Sequence, residues 1–220
     1  MKEKLLTEFI GTFFLFLIIS LSAVTGNAGE LAPLAIGIGL AGLIFASGHR
    51  SAAHFNPAVT LAFFVSKNQP AKEIIPYILA ISAGAVLAAL VAQLIQTDSF
   101  SAIQMEQLGL HQSENFSLVP ALLSEFLFTF ALVWVILNVA LARGTANNGF
   151  YGIAIGFTVA TGAFSVGSIS GASFNPAVNL GLYLHNVLDL KLLLTYTLIQ
   201  VLAAFLAAAI FKQLEAEHSD

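Results

Sequence analysis

His54-Phe55-Asn56-Pro57-Ala58-Val59-Thr60 and Ser173-Phe174-Asn175-Pro176-Ala177-Val178-Asn179 share a Phe-Asn-Pro-Ala-Val core, one copy in each half of the chain. Asparagine is a good helix N-cap and proline is tolerated in the first turn, so each string reads as a helix start. The helix that follows is short. Asn56 to Val65 rises only about 15 Å at about 1.5 Å per residue, half of a hydrocarbon core about 30 Å thick. Asn175 to His185 is of similar length. Each segment is therefore expected as a re-entrant half-helix, which membrane depth tolerates only where protein or a water-filled cavity satisfies the preceding loop. For the first copy, an amphipathic helix on the cytoplasmic surface is the alternative.

The surroundings of the two strings favour the membrane. Of the 220 residues, 58% are hydrophobic and only 9% charged, and the mean hydropathy is +0.88. Such a chain cannot cover itself with a polar surface. Six apolar runs are long enough to span: Leu5 to Val24, Leu31 to Ser47, Ile74 to Ile95, Leu118 to Leu141, Phe150 to Gly167 and Lys191 to Phe211. The first begins like a signal peptide but is too long and lacks a small-residue cleavage signature, so it reads as a retained span. The second and fifth are punctuated by glycines, Gly37, Gly39 and Gly42 and then Gly152, Gly156 and Gly162, which let helix backbones approach closely in lipid.

The chain also repeats itself. Thr7-Glu8-Phe9-Ile10-Gly11-Thr12-Phe13 returns as Ser124-Glu125-Phe126-Leu127-Phe128-Thr129-Phe130, offset by 117 residues, and the Asn-Pro-Ala strings are offset by 119. Each half, about 1–96 and 118–213, holds three spans and one half-helix; a polar loop over 97–117 joins them. Three is odd, so the second half enters from the opposite face, as in inverted-repeat transporters. With the N-terminus cytoplasmic, Lys2, Lys4, Arg50, Lys67, Lys72, Arg143 and Lys212 lie inside and only Lys191 outside, in accord with the positive-inside rule. Both termini are then cytoplasmic, the joining loop is extracellular, and the half-helices meet N-terminus to N-terminus near the midplane.

Two helix N-termini aimed at one point carry partial positive charge and repel cations. The amides of Asn56 and Asn175 donate to a passing oxygen. The loops Ser51 to Phe55 and Ser170 to Phe174 are expected to present carbonyls along the path. One Asn-Pro-Ala alone is a common turn; two at corresponding positions of an inverted repeat point to a pore.

These features make the chain similar to the aquaporin and aquaglyceroporin (major intrinsic protein) family over essentially its whole length. The likeness rests on both boxes (Asn56, Pro57, Ala58; Asn175, Pro176, Ala177), on Ser51-Ala52-Ala53 before the first string, and on the paired Glu8 and Glu125. It implies an all-α membrane fold of six transmembrane helices and two half-helices, and a passive channel for water and small neutral solutes. It further implies a homotetramer with one pore per subunit, surrounded by membrane lipid. A short chain with brief termini suits a plasma membrane.

The likeness breaks at one place that matters. Most members follow the second box with arginine, where this chain has Val178; by motif spacing the other constriction positions fall at Ile36, Ala163 and Ala172. Four apolar residues imply a wider, less polar ring, suited to polyols, urea-like amides or neutral metalloid hydroxides.

Ionisable groups inside spans are functional candidates. Glu8 and Glu125 read either as hydrogen-bond acceptors for the neighbouring loops or as proton-coupling groups of a secondary carrier, and the resemblance supports the first. His54 lines the pore or braces its loop, while His49 and Arg50 belong at the cytoplasmic mouth. No cluster has metal-ligand or acid/base spacing, so neither metal, cofactor nor catalysis is expected. A net charge of -4 without a basic stripe argues against nucleic acid as a partner.

Overall fold

The computed structural model describes residues 1–97 and 116–217, and every regular element among them is helical. Eight α-helices follow in order: α1 Lys2–Ile19, α2 Ala32–Ser51, α3 Pro57–Val65, α4 Ala71–Ile95, α5 Leu118–Ala140, α6 Tyr151–Ser170, α7 Pro176–Leu184 and α8 Leu190–Glu217. Six are long and apolar enough to cross a membrane, the first counted together with a π-helical turn, Ser20–Val24, that continues α1. The remaining two, α3 and α7, have nine residues each. Most of the joining loop, 98–115, lies outside the described residues.

The order long, long, short, long thus runs twice. Several ends are longer than hydropathy suggests. Helix α4 begins at Ala71 and α8 reaches Glu217, because Lys72, Glu73, Lys212 and Glu215 continue the helical turn where apolarity has already ended.

The long helices pack α1 on α4, α5 on α8 and α2 on α6, while each half-helix crosses to the opposite set, α3 against α8 and α7 against α4. The α2–α6 seam shows why its glycines are needed. A Cβ added to Gly37 would strike the Gly156 carbonyl, and one added to Gly156 the Gly37 carbonyl, so the two backbones touch directly. Gly39 abuts Ile18, whereas Gly42 faces open space, so only part of the glycine pattern of α2 serves close approach.

Polar contacts identify the ends of the bundle. Lys4 Nζ lies 3.2 Å from Glu73 Oε2 and Arg50 pairs with Glu3, which gathers the starts of α1 and α4 and the close of α2. Gly48 of α2 abuts the Tyr151 ring at the start of α6, and the Arg143 amide donates to Glu215 near the close of α8. Both termini therefore sit at one end. Helix α1 leaves this end and α5 runs back towards it.

Candidate functional site

Asn56 and Asn175 cap α3 and α7. Each is in extended conformation, and its Oδ1 accepts from the amide two residues on, Ala58 N or Ala177 N, at 2.9 Å in both cases. Each side-chain nitrogen then reaches across to the other half. Asn56 Nδ2 donates to the Phe174 carbonyl at 2.9 Å and Asn175 Nδ2 to the Phe55 carbonyl at 2.8 Å. The half-helices are thereby tied N-terminus to N-terminus by a reciprocal clamp. An amide nitrogen has two hydrogens, so each asparagine keeps one N–H beyond the clamp. The Phe55 and Phe174 carbonyls, expected along the path, each accept one asparagine N–H and keep a second lone pair.

The loops leading into the boxes share one backbone pattern. Positive φ occurs at Ala52, Ala53 and Phe55 and, at the same spacing, at Gly171, Ala172 and Phe174. Left-handed alanine and phenylalanine each cost about 1–3 kcal/mol and persist only where surroundings over-determine them. A buried carboxylate does this in each half. Glu8 accepts from His54 N at 3.0 Å and Phe55 N at 2.8 Å; Glu125 accepts from Ser173 N at 3.1 Å and Phe174 N at 2.8 Å. Both carboxylates are 0% exposed. The phenylalanines act as wedges: Phe55 fills the space left by Gly11, and Phe174 stacks on Phe128, the residue matching Gly11 in the internal repeat, at 5.6 Å.

The second loop is held by more than its glutamate. Glu125 also accepts from Ser170 Oγ at 2.7 Å, Ser173 Oγ at 3.0 Å and Gln200 Nε2 at 2.7 Å, and Gln200 Oε1 accepts from Asn179 Nδ2 at 2.8 Å. Ser170, Ser173, Asn179 and Gln200 were not singled out from the sequence. The available signal was an amide, Gln200, alone in the apolar run from Leu198 to Phe205.

A cavity of about 720 Å³ runs past the clamp. Its lining reaches from His49, Asn147 and Asn148 at the end with the termini to Val24, Pro33 and Val187 at the far end, and includes Asn56 and Asn175. Ile36, Ala163, Ala172 and Val178, the four constriction positions, all line it, as do Ala52, Ala53, Gly171 and Ser173 of the two loops. No Lys or Arg is among its lining residues, and neither Glu8 nor Glu125 is. Pro57, Ala58, Pro176 and Ala177 are buried behind the wall. His54 lines the cavity and also braces its loop: Nδ1 lies 3.1 Å from Thr60 Oγ1 and the ring packs on Phe63 and Tyr77, while Nε2 has no partner among the described residues. No group of three or more potential metal ligands occurs among the described residues.

A bundle of spanning helices enclosing a through-cavity, closed around two half-helices clamped at their N-termini, defines a membrane channel of the aquaporin type. The family described as major intrinsic protein matches residues 1–163 and 138–219, and the chain belongs to this family, whose members are channels rather than enzymes. Among its relatives, Aquaporin AqpM of Methanothermobacter thermautotrophicus is 31% identical, with 99% of each chain covered. Aquaporin NIP3-1 of Arabidopsis thaliana is 37% identical over 81% of this chain, which spans 57% of that relative's length. In fold, the chain resembles the X-ray structure of the aquaglyceroporin from Plasmodium falciparum, with a TM-score of 0.78 and 22% identity over 96% of this chain and 94% of the other.

Proposed function

We propose that the protein is a passive channel for small uncharged solutes and water, excluding ions and protons, with a ring wide and apolar enough for polyols, urea or neutral metalloid hydroxides. The observation that carries this reading is the cavity lining: Ile36, Ala163, Ala172 and Val178 all contribute to one wall that contains no Lys or Arg. A fixed guanidinium there would narrow the passage and add charge; valine does neither. Ion exclusion then rests on the two half-helix N-termini and on the scarcity of groups able to replace a hydration shell.

The same reading takes 1–96 and 118–213 as inverted repeats joined by an extracellular loop over 97–117, with both termini cytoplasmic in a plasma membrane and four copies assembled in lipid. Proton coupling through Glu8 or Glu125 is disfavoured, because their oxygens are occupied by loop amides and neither lines the cavity. Carrier flux would saturate and follow a pH gradient, whereas channel flux is linear in the solute gradient and indifferent to pH.

Proteoliposome swelling in separate osmotic gradients of glycerol, urea and arsenous acid, beside shrinkage in an impermeant solute for water, tests the proposal. Solute entry well above that of empty vesicles is expected. A protein that passes water and excludes all three solutes would refute it.

A further inference from the structure

At the far end of the cavity lies a buried polar cluster that the clamp and the carboxylates do not use. His185 caps α7 and is 0% exposed, its ring stacked on Phe16 of α1 with centroids 5.5 Å apart. Its Nε2 is 3.0 Å from Ser20 Oγ and its Nδ1 3.4 Å from Gln93 Nε2, which is also 3.4 Å from the Leu184 carbonyl. Three elements thus converge on one imidazole: the π-helical turn that continues α1, α4, and the close of α7.

A carbonyl oxygen only accepts, so the Gln93 amide is assigned with its nitrogen towards Leu184 and His185. With Nδ1 facing that donor, the neutral ring is assigned its hydrogen on Nε2, towards Ser20 Oγ. A few residues away, Gly181 of α7 lies so close to the Phe16 ring that a Cβ there would overlap it, so α7 rests directly on α1.

What the cluster holds in place is pore wall. Ser20 opens the π-helical turn whose Ala23 and Val24 line the far mouth, and α7 presents Val178 and Leu182 to the same cavity. A π-turn widens a helix by one residue and is common at functional sites. Among the described residues the first half has no counterpart: Ser66, at the position matching His185, donates to the Phe63 carbonyl and accepts from Asn68 Nδ2, both within the close of α3 and the turn after it.

We infer that His185 is a positioning residue for solute specificity, pinning the close of α7 to the π-turn of α1 and so setting the width of the far mouth beside Val178. The inference rests on the proposed channel function. Freeing the pin lets α7 and the turn part, which favours bulky solutes over water.

The test compares glycerol and water permeability of reconstituted full-length protein at equal incorporation. His185→Phe keeps the ring against Phe16 and removes the hydrogen bonds to Ser20 and Gln93; a rise in the glycerol-to-water ratio of about threefold or more is expected, the factor that one ordinary hydrogen bond allows. His185→Gln retains an N–H within reach of Ser20 and is expected to restore the ratio towards the parent. An unchanged ratio in His185→Phe, or equal shifts in the Phe and Gln variants, overturns the positioning role. Should the Phe variant not assemble, Ser20→Ala and Gln93→Leu each remove one contact to the imidazole and leave the ring, Gln93→Leu losing its bond to the Leu184 carbonyl as well; a ratio unmoved in both overturns it equally. A parent that conducts neither water nor glycerol overturns the channel reading itself, a result distinct from a conducting parent with unmoved variants.

Discussion

Replacing Glu125 by leucine removes both acceptor oxygens at nearly constant volume, and the contacts around the carboxylate determine the cost. The Ser173 and Phe174 amides, 3.1 and 2.8 Å from it, would be left buried without an acceptor. An orphaned buried donor costs about 1–3 kcal/mol, so the pair amounts to about 2–6 kcal/mol. Of the three side-chain donors, Ser173 Oγ already reaches Asn179 Oδ1 at 2.5 Å and Gln200 Nε2 lies 3.4 Å from the same oxygen, so these two have an acceptor to turn to, whereas the buried Ser170 hydroxyl, which donates to Glu125 at 2.7 Å, adds to the loss. For a chain of this length, at about 2–4 °C per kcal/mol, the thermal midpoint should fall by at least about 4 °C. Thermal unfolding in detergent micelles, followed by circular dichroism, reads this directly. Glu125→Gln keeps one acceptor oxygen and sets its new N–H against a loop amide, so an intermediate loss is expected. Because the amides belong to the left-handed loop before Asn175, both variants should also lose solute flux. An unchanged midpoint together with unchanged swelling rates in Glu125→Leu would refute the view that this carboxylate holds the second loop.

Val178→Arg should cut glycerol entry relative to water by roughly tenfold or more, since charge and bulk enter the ring together; equal ratios in stopped-flow swelling would count against the assignment of Val178 to the constriction. Asn175→Ala removes both the cap on Ala177 N and the clamp on the Phe55 carbonyl; beyond about 1 kcal/mol for the cap, flux of every solute should fall. Gly156→Leu must force α2 and α6 apart at the Gly37 carbonyl, so poor assembly by size-exclusion chromatography is expected, and an unaltered elution profile would contradict the contact. Despite the missing arginine, planar bilayers holding the protein should show no current above bare lipid.

The half-helices were legible because their signals are local. Asparagine before proline marks a cap within four residues, and helices starting at Pro57 and Pro176 differ from the sequence reading by a single position. Six spans were legible from hydropathy, but not their ends, which polar residues at Lys72 and Glu73 and beyond Phe211 prolong. The π-turn was not legible: Ser-Leu-Ser-Ala-Val carries no breaker, and the partner of its Ser20, His185, lies 165 positions away. Nor was the clamp, since its partners are 118 and 120 positions apart and one of each pair is a backbone carbonyl, which has no sequence signature.

That clamp changes what the two boxes contribute to permeation. Each asparagine uses its oxygen on its own helix and one N–H on the opposite loop, so a solute at the centre meets one remaining donor from each side chain. Two donors orient a hydroxyl or carbonyl oxygen but cannot by themselves select among solutes that all carry one. Discrimination therefore falls to the wall, where Ile36, Val178 and Leu182 offer apolar surface alongside the loop residues Ala52, Ala53, Gly171 and Ala172. Water gains nothing from the apolar part of such a wall. A short polyol has a carbon edge to lay against it while its hydroxyls reach the donors, so on the proposed reading the ring without arginine favours amphipathic solutes by chemistry as well as by width.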